Sequence, residues 1–205
     1  MIIVLLVIGY LCGSIPFGYL VGKLRKIDLQ KEGFKKIGAS NAYKTMGLLP
    51  ALLVFFADFT KGIIPLLIGK WLGIPDNIAV FSGLTAIIGH NWPVWLKFKG
   101  EGRGVATSTG LVFYLLPREF TLIFFVLMLL VAIMKNTGLA SFICFLLVPV
   151  LGWLFKEPVW LINFSALIFV AFAIRRLLGL TKVPRGKRKA NILSSLFLDR
   201  QKESA

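Results

Sequence analysis

Three polar stretches of this chain combine glycine, asparagine and fixed positive charge in a way suited to holding an anion. The first is GFKKIGASNAYKTMG, Gly33 to Gly47. Its glycines permit positive φ and close backbone approach. Ser40 is placed to cap a short helix, on which Asn41 and Lys44, three residues apart, share a face. A juxtamembrane basic loop drawn to anionic lipid would show the same lysines. Asparagine, however, adds hydrogen bonding without charge, and a tether has no need of it.

The second stretch is IGHNWPVWLKFKGEGRGVATSTG, Ile88 to Gly110, and it holds His90, the single histidine of the chain. Gly100-Glu101-Gly102-Arg103-Gly104 leads straight into an apolar helix that carries Thr107. A glycine-rich loop opening a helix presents unpaired N–H groups at the positive end of the helix dipole. With Lys99 and Arg103 attached, it makes a cradle for phosphate. It is not a Walker loop, because G-x-x-x-x-G-K-[ST] is absent. The plainer readings are a flexible hinge for the glycines and a structural hydrogen-bonder for His90.

The third stretch is the tail PRGKRKANILSSLF, Pro184 to Phe197. Its basic run reads as a membrane-surface patch, and Asn191, Ile192, Leu196 and Phe197 suggest a short amphipathic segment. Asp58 and Lys61 stand apart from all three, three residues apart within an apolar run. Ionisable groups at such depth pair and face the bundle interior. They are either a structural ion pair that fixes helix packing or the floor of a polar site.

The elements that position these residues are membrane spans. The chain has 205 residues, 57% of them hydrophobic, 13% aromatic and only 16% charged, with a mean hydropathy of +0.82. A soluble domain of this length cannot hide so much apolar surface in one core. Crossing ~30 Å of hydrocarbon takes about 20 residues. The expected architecture is an all-α integral membrane bundle, one membrane domain over 1–205. It has about seven spans, near 2–22, 49–71, 78–96, 105–116, 120–134, 138–155 and 159–174, then a tail from 175. The fourth and fifth are short enough to form a re-entrant hairpin instead, leaving five full crossings. The basic cluster after the first run, rather than before it, argues for a retained span and against a cleaved signal peptide. Cys12 and Cys144 lie in apolar runs and read as small hydrophobes.

Lys and Arg outnumber Asp and Glu 24 to 9, for a net charge of +15. With alternating loops, twenty of those 24 basic residues fall on one side. The positive-inside rule makes that side cytoplasmic, with the amino terminus outside and the carboxyl terminus inside. The charge excess, which in a polar chain would suggest a nucleic-acid binder, is thereby explained without nucleic acid.

At these residues the sequence resembles the acyl-phosphate:glycerol-3-phosphate acyltransferase (PlsY) family. The resemblance covers most of the chain: GSIPFGYL at Gly13 to Leu20, GASNAYKTMG, the ADFTKG around Asp58 and Lys61, GHNWPVWLKFKG, GRGVATSTG and the Asn191-Ile192 pair. It implies a seven-span enzyme of the bacterial inner membrane. Such an enzyme moves a fatty acyl group from acyl phosphate to glycerol 3-phosphate, releasing lysophosphatidic acid and phosphate, with no metal or cofactor.

By the same resemblance Lys44, Arg103, Arg188 and Asn191 form the catalytic set. Gly33, Ser40, Asn41, Asp58, Lys61, His90, Lys99, Gly100, Gly102, Gly104 and Thr107 line the substrate site. The expected partners are the two phosphorylated substrates and membrane lipid, and a monomer is expected. The chain departs from the family pattern at identifiable points. Phe34 and Lys36 stand where the first motif has serine and asparagine, and Lys44 stands for an arginine, losing the bidentate fork. The glycine loop is one residue longer, with Arg103 for a lysine, and Arg188 replaces a tail histidine. These departures leave a second reading open: an altered-substrate or non-catalytic relative that binds or transports an anionic lipid or phosphometabolite.

Overall fold

The computed structural model describes residues 1–99, 102–134 and 136–180, and these are helical with no strand among them. They divide into two compact units, Met1–Tyr114 and the residues from Leu115 onward.

In the first unit, helix α1 (Ile2–Ser14) and helix α2 (Phe17–Leu24) together make one apolar stretch of 23 residues, broken at Ile15-Pro16. The break has a local cause. Proline removes an N–H and disfavours helical geometry in the residue before it, and Ile15 is extended at φ −60°, ψ 115°. After a loop come α3 (Ala39–Met46), α4 (Leu48–Trp71), α5 (Asp76–Asn91) and α6 (Val105–Leu115). Helix α3 begins one residue before the expected cap. Gly38 occupies the cap position and Ser40 lies exposed in the first turn, with no capping hydrogen bond from a side chain.

Helices α1 and α5 meet backbone to backbone. A Cβ on Gly13 would overlap the carbonyl of Ala86, and one on Gly89 would overlap the carbonyl of Tyr10. Small residues at four-residue spacing (Gly9 and Gly13 on α1) permit this approach, the usual way to pack helices where lipid gives no hydrophobic drive. Across the same contact Thr85 Oγ1 donates to the Leu6 carbonyl at 2.9 Å, and Tyr10 Oη donates to the Trp92 carbonyl at 2.9 Å. Helices α4 and α6 approach in the same manner, with Gly110 against the Phe59 carbonyl.

In the second unit, α7 (Pro117–Met134), α8 (Thr137–Leu154) and α9 (Val159–Leu180) follow. Asn136 caps α8 by accepting from the Leu139 N–H at 3.0 Å. Phe145 and Phe172 pack with ring centroids 5.2 Å apart, and the Arg118 guanidinium lies 3.5 Å from the Phe155 ring centroid.

Helices occur at all seven expected places, but their lengths correct the reading of spans. Among the described residues five stretches are long and apolar enough to cross a membrane: Ile2–Leu24, Leu48–Trp71, Pro117–Met134, Thr137–Leu154 and Val159–Arg176. The fifth expected span is not short. Pro117, in the gap between the expected fourth and fifth spans, is the first residue of α7, a position proline favours, and the helix reaches 18 residues. The third is shorter than expected. Helix α5 stops at Asn91, because Pro93 disfavours helix at Trp92, and a single 3-10 turn (Val94–Leu96) follows. The two expected spans that fall short are therefore the third, α5 with 16 residues, and the fourth, α6 with 11. These are the pair that flank the glycine-rich loop.

Candidate active site

Helix α4 carries the centre of the site. Asp58 and Lys61 are each 2% exposed, and Lys61 Nζ donates to Asp58 Oδ1 at 2.6 Å. The same ammonium donates to the carbonyl of Ile15, the group that Pro16 frees from helical bonding, and it lies 4.9 Å from the centroid of the Phe17 ring. Burial of two ions is tolerable only when each is paired and hydrogen-bonded, and here the break in the first span supplies the additional acceptor.

The carboxylate has a second neighbour. His90 Nδ1, in the last turn of α5, lies 3.5 Å from Asp58 Oδ1. The backbone of the same aspartate is also held, since Thr107 Oγ1 on α6 donates to the Asp58 carbonyl at 3.0 Å. Asp58 thus ties α4 to both short helices.

The opposite edge of the imidazole carries the glycine-rich loop. A Cβ on Gly102 would stand 2.7 Å from His90 Nε2 and 2.7 Å from the His90 carbonyl, closer than any side-chain carbon tolerates. Gly104 has φ +71°, left-handed backbone that suits glycine, and packs on the side chain of Asn91. Arg103 between them is half-buried, and the Ser108 N–H closes the first turn of α6 onto the Gly104 carbonyl at 2.8 Å. The N–H groups at the start of α6 therefore stand beside Arg103, an arrangement able to hold an oxyanion. Lys99 is exposed next to the loop, while Gly100 lies outside the described residues.

The first motif is placed differently. Asn41 is buried and faces the chain that precedes α3. Its Nδ2 donates to the carbonyls of Leu29 (2.9 Å), Glu32 (3.1 Å) and Lys36 (2.8 Å), and its Oδ1 accepts from the Phe34 N–H at 2.6 Å. Asn41 is therefore a clamp for the loop. Gly33, with φ +57°, lies against it, and a Cβ there would overlap Asn41 Oδ1. Lys44 is exposed, with Nζ 4.4 Å over the Phe34 ring. Phe34 thus holds a lysine by cation–π contact at the place where a serine was expected. Arg188 and Asn191 lie outside the described residues.

Of the expected site residues, Asp58, Lys61, His90, Gly102 and Thr107 converge in one cluster. Sequence reasoning assigned no role to Ser14. Ser14, Pro16 and Phe17 line a small cleft with Asp58, Lys61 and His90, between Ile37 and Pro93. The available signal was a serine two residues before a proline in an otherwise apolar span.

An all-helical membrane protein in which α5 and α6 flank a glycine–arginine loop beside a buried Asp–Lys–His cluster defines a class of membrane-embedded enzymes acting on phosphorylated compounds. Comparison with known proteins gives that class its family. The family model for glycerol-3-phosphate acyltransferase matches residues 3–179, and the chain belongs to that family. A Dehalococcoides mccartyi protein named glycerol-3-phosphate acyltransferase 2 is 33% identical over 204 residues, covering 99% of this chain and 97% of its own. Another of that name, from Moorella thermoacetica, is 36% identical over 193 residues, with 89% and 97% covered. Among solved structures, PlsY, described as an integral membrane glycerol 3-phosphate acyltransferase, is similar with a TM-score of 0.78 and 32% identity. Its glycerol 3-phosphate form covers 93% of this chain and 98% of that one.

Proposed function

We infer that this chain transfers an acyl group from acyl phosphate to glycerol 3-phosphate in phospholipid synthesis. The reaction forms an ester bond between a glycerol hydroxyl oxygen and the acyl carbon. It breaks the bond between that carbon and the bridging phosphate oxygen, and the hydroxyl proton leaves with the phosphate. The observation that carries this reading is the packing of Gly102 on His90, which sets Arg103 and the N-terminus of α6 beside a buried polar cluster. It is supported by membership of a family whose relatives are named glycerol-3-phosphate acyltransferase.

In this reading Arg103, Lys99 and the loop from Gly100 to Gly104 hold phosphate oxygens. By the family resemblance Lys44, Arg188 and Asn191 belong to the catalytic set as well, Arg188 and Asn191 lying outside the described residues. Asp58, Lys61, Thr107 and Asn41 act as positioning residues through the elements they join. Because acyl phosphate is already activated, what remains for the protein is to orient the acceptor and stabilise the developing oxyanion. A positive loop gathers both phosphorylated substrates, and the bias of basic residues to one side supports a site on the cytoplasmic face of a bacterial inner membrane. A monomer carries every residue that the reading uses.

The test is direct. Purified protein given acyl phosphate and glycerol 3-phosphate should release phosphate and form lysophosphatidic acid. No release above background, beside an active relative as control, would overturn the assignment.

A further inference from the structure

Gly102 and Gly104 flank Arg103, and each rests on a different one of two consecutive side chains at the end of α5. A Cβ on Gly102 would stand 2.7 Å from His90 Nε2, and one on Gly104 would stand 3.2 Å from Asn91 Oδ1. Both glycines are buried, and His90 and Asn91 are only 6% and 2% exposed, so the four groups form one packed contact. The only side chain the loop carries between its two glycines is that of Arg103, on backbone that lies directly on its support.

The support is itself fixed from the other side. His90 Nδ1 faces Asp58 Oδ1 at 3.5 Å. An ionised carboxylate only accepts, so Nδ1 is the nitrogen that carries hydrogen. Tyr10 of α1 brackets the pair along the chain. Its carbonyl lies where a Cβ on Gly89 would fall, and its hydroxyl donates to the Trp92 carbonyl at 2.9 Å. An Asp–His pair invites the reading of a general base. A base must reach the proton it removes, and here one imidazole nitrogen is turned to Asp58 while the other is covered by Gly102.

Resting on the acyltransferase reading, we propose that His90 and Asn91 are positioning residues that together seat the phosphate loop. Asp58 orients the imidazole, the imidazole carries Gly102, and the Asn91 carboxamide carries Gly104. Arg103 is thereby held ready for a phosphate that neither His90 nor Asn91 touches. The seat contributes affinity for the anion, because a loop already held in its bound conformation loses little freedom on binding.

The experiment measures the Kd of inorganic phosphate by calorimetry, kcat and KM for glycerol 3-phosphate, and the melting temperature in detergent. It uses the full chain, His90→Asn, Asn91→Ala, Gly102→Ala and the double variant of Gly102→Ala with His90→Asn. The shorter amide of His90→Asn can still donate to Asp58 and has no atom at the edge that carries Gly102. His90→Asn and Asn91→Ala should each weaken phosphate and raise KM by about tenfold, the scale of one hydrogen bond to a charged group. The change in kcat should be smaller, and His90→Asn should melt close to the parent. Gly102→Ala should cost less on His90→Asn than on the parent, because the imidazole edge it would meet is gone. Phosphate affinity unchanged in His90→Asn, with or without a lowered melting temperature, or additive losses in the double variant, would overturn the seat and leave the acyltransferase reading intact. A full chain that makes no lysophosphatidic acid would overturn that reading, whereas phosphate affinity that falls in His90→Asn would still uphold the seat.

Discussion

Lys61 on α4 donates to the carbonyl of Ile15, the group that Pro16 releases where the first span breaks. One ammonium therefore neutralises Asp58 and adds a second donor to a carbonyl that also accepts from the Phe17 N–H at 3.1 Å. Charge burial and helix interruption, each costly alone in a membrane, offset one another.

Lys61→Met should accordingly destabilise the protein by about 3–5 kcal/mol, because it leaves a buried carboxylate uncompensated. Asp58→Asn combined with Lys61→Met should recover part of that loss. Thermal unfolding of the two variants in detergent checks this. A double variant less stable than Lys61→Met would show that the pair is not the unit.

Gly102→Ala places a carbon 2.7 Å from His90 Nε2, so the loop must lift off the imidazole. Turnover should fall by about a hundredfold, on the scale of a misplaced reacting group, with a small change in melting temperature. Gly38→Ala is the control, since a Cβ there meets nothing within 4 Å and its φ of −99° suits any residue. It should behave as the parent does in the same assay.

Arg103→Ala should abolish measurable phosphate release, since the half-buried guanidinium is assigned to phosphate. Arg103→Lys should restore part of the rate, keeping charge without the bidentate fork. A steady-state series of kcat and KM for both variants decides it. Equal rates for Arg103→Ala and the parent would remove Arg103 from the phosphate site.

Asn41→Ala removes the side chain that joins Leu29, Glu32, Phe34 and Lys36. A loss of about 2 kcal/mol is expected, the scale of leaving buried groups unsatisfied. Faster protease cleavage between residues 29 and 38 should accompany it. Unchanged cleavage would mean that the loop is held by other contacts.

Much of this protein was legible in order along the chain. Among the described residues, hydropathy and breakers located the five helical stretches long enough to cross a membrane, because in lipid each backbone group must be bonded within its own segment and a span is a local property. The glycine–arginine loop and the Asp58–Lys61 pair were visible for a similar reason: their residue types are costly where they stand. What the chain could not reveal depends on contacts between segments far apart in it. That Asn41, expected at the site, clamps the preceding loop was not readable, because only the fold brings four backbone groups of residues 29–36 around one amide. Ser14 looked like part of an apolar span and lies in the cleft, because Pro16 opens the helix where α4 and α5 arrive with Asp58 and His90. Helix lengths near Pro93 and Pro117 turned on whether each proline ended one helix or began the next. Residue types and their order determined the membrane class, the spans and the chemistry on offer. Tertiary packing alone decided which of those residues meet, because a hydrogen bond or a buried ion pair is settled by distance in space and not by separation in sequence.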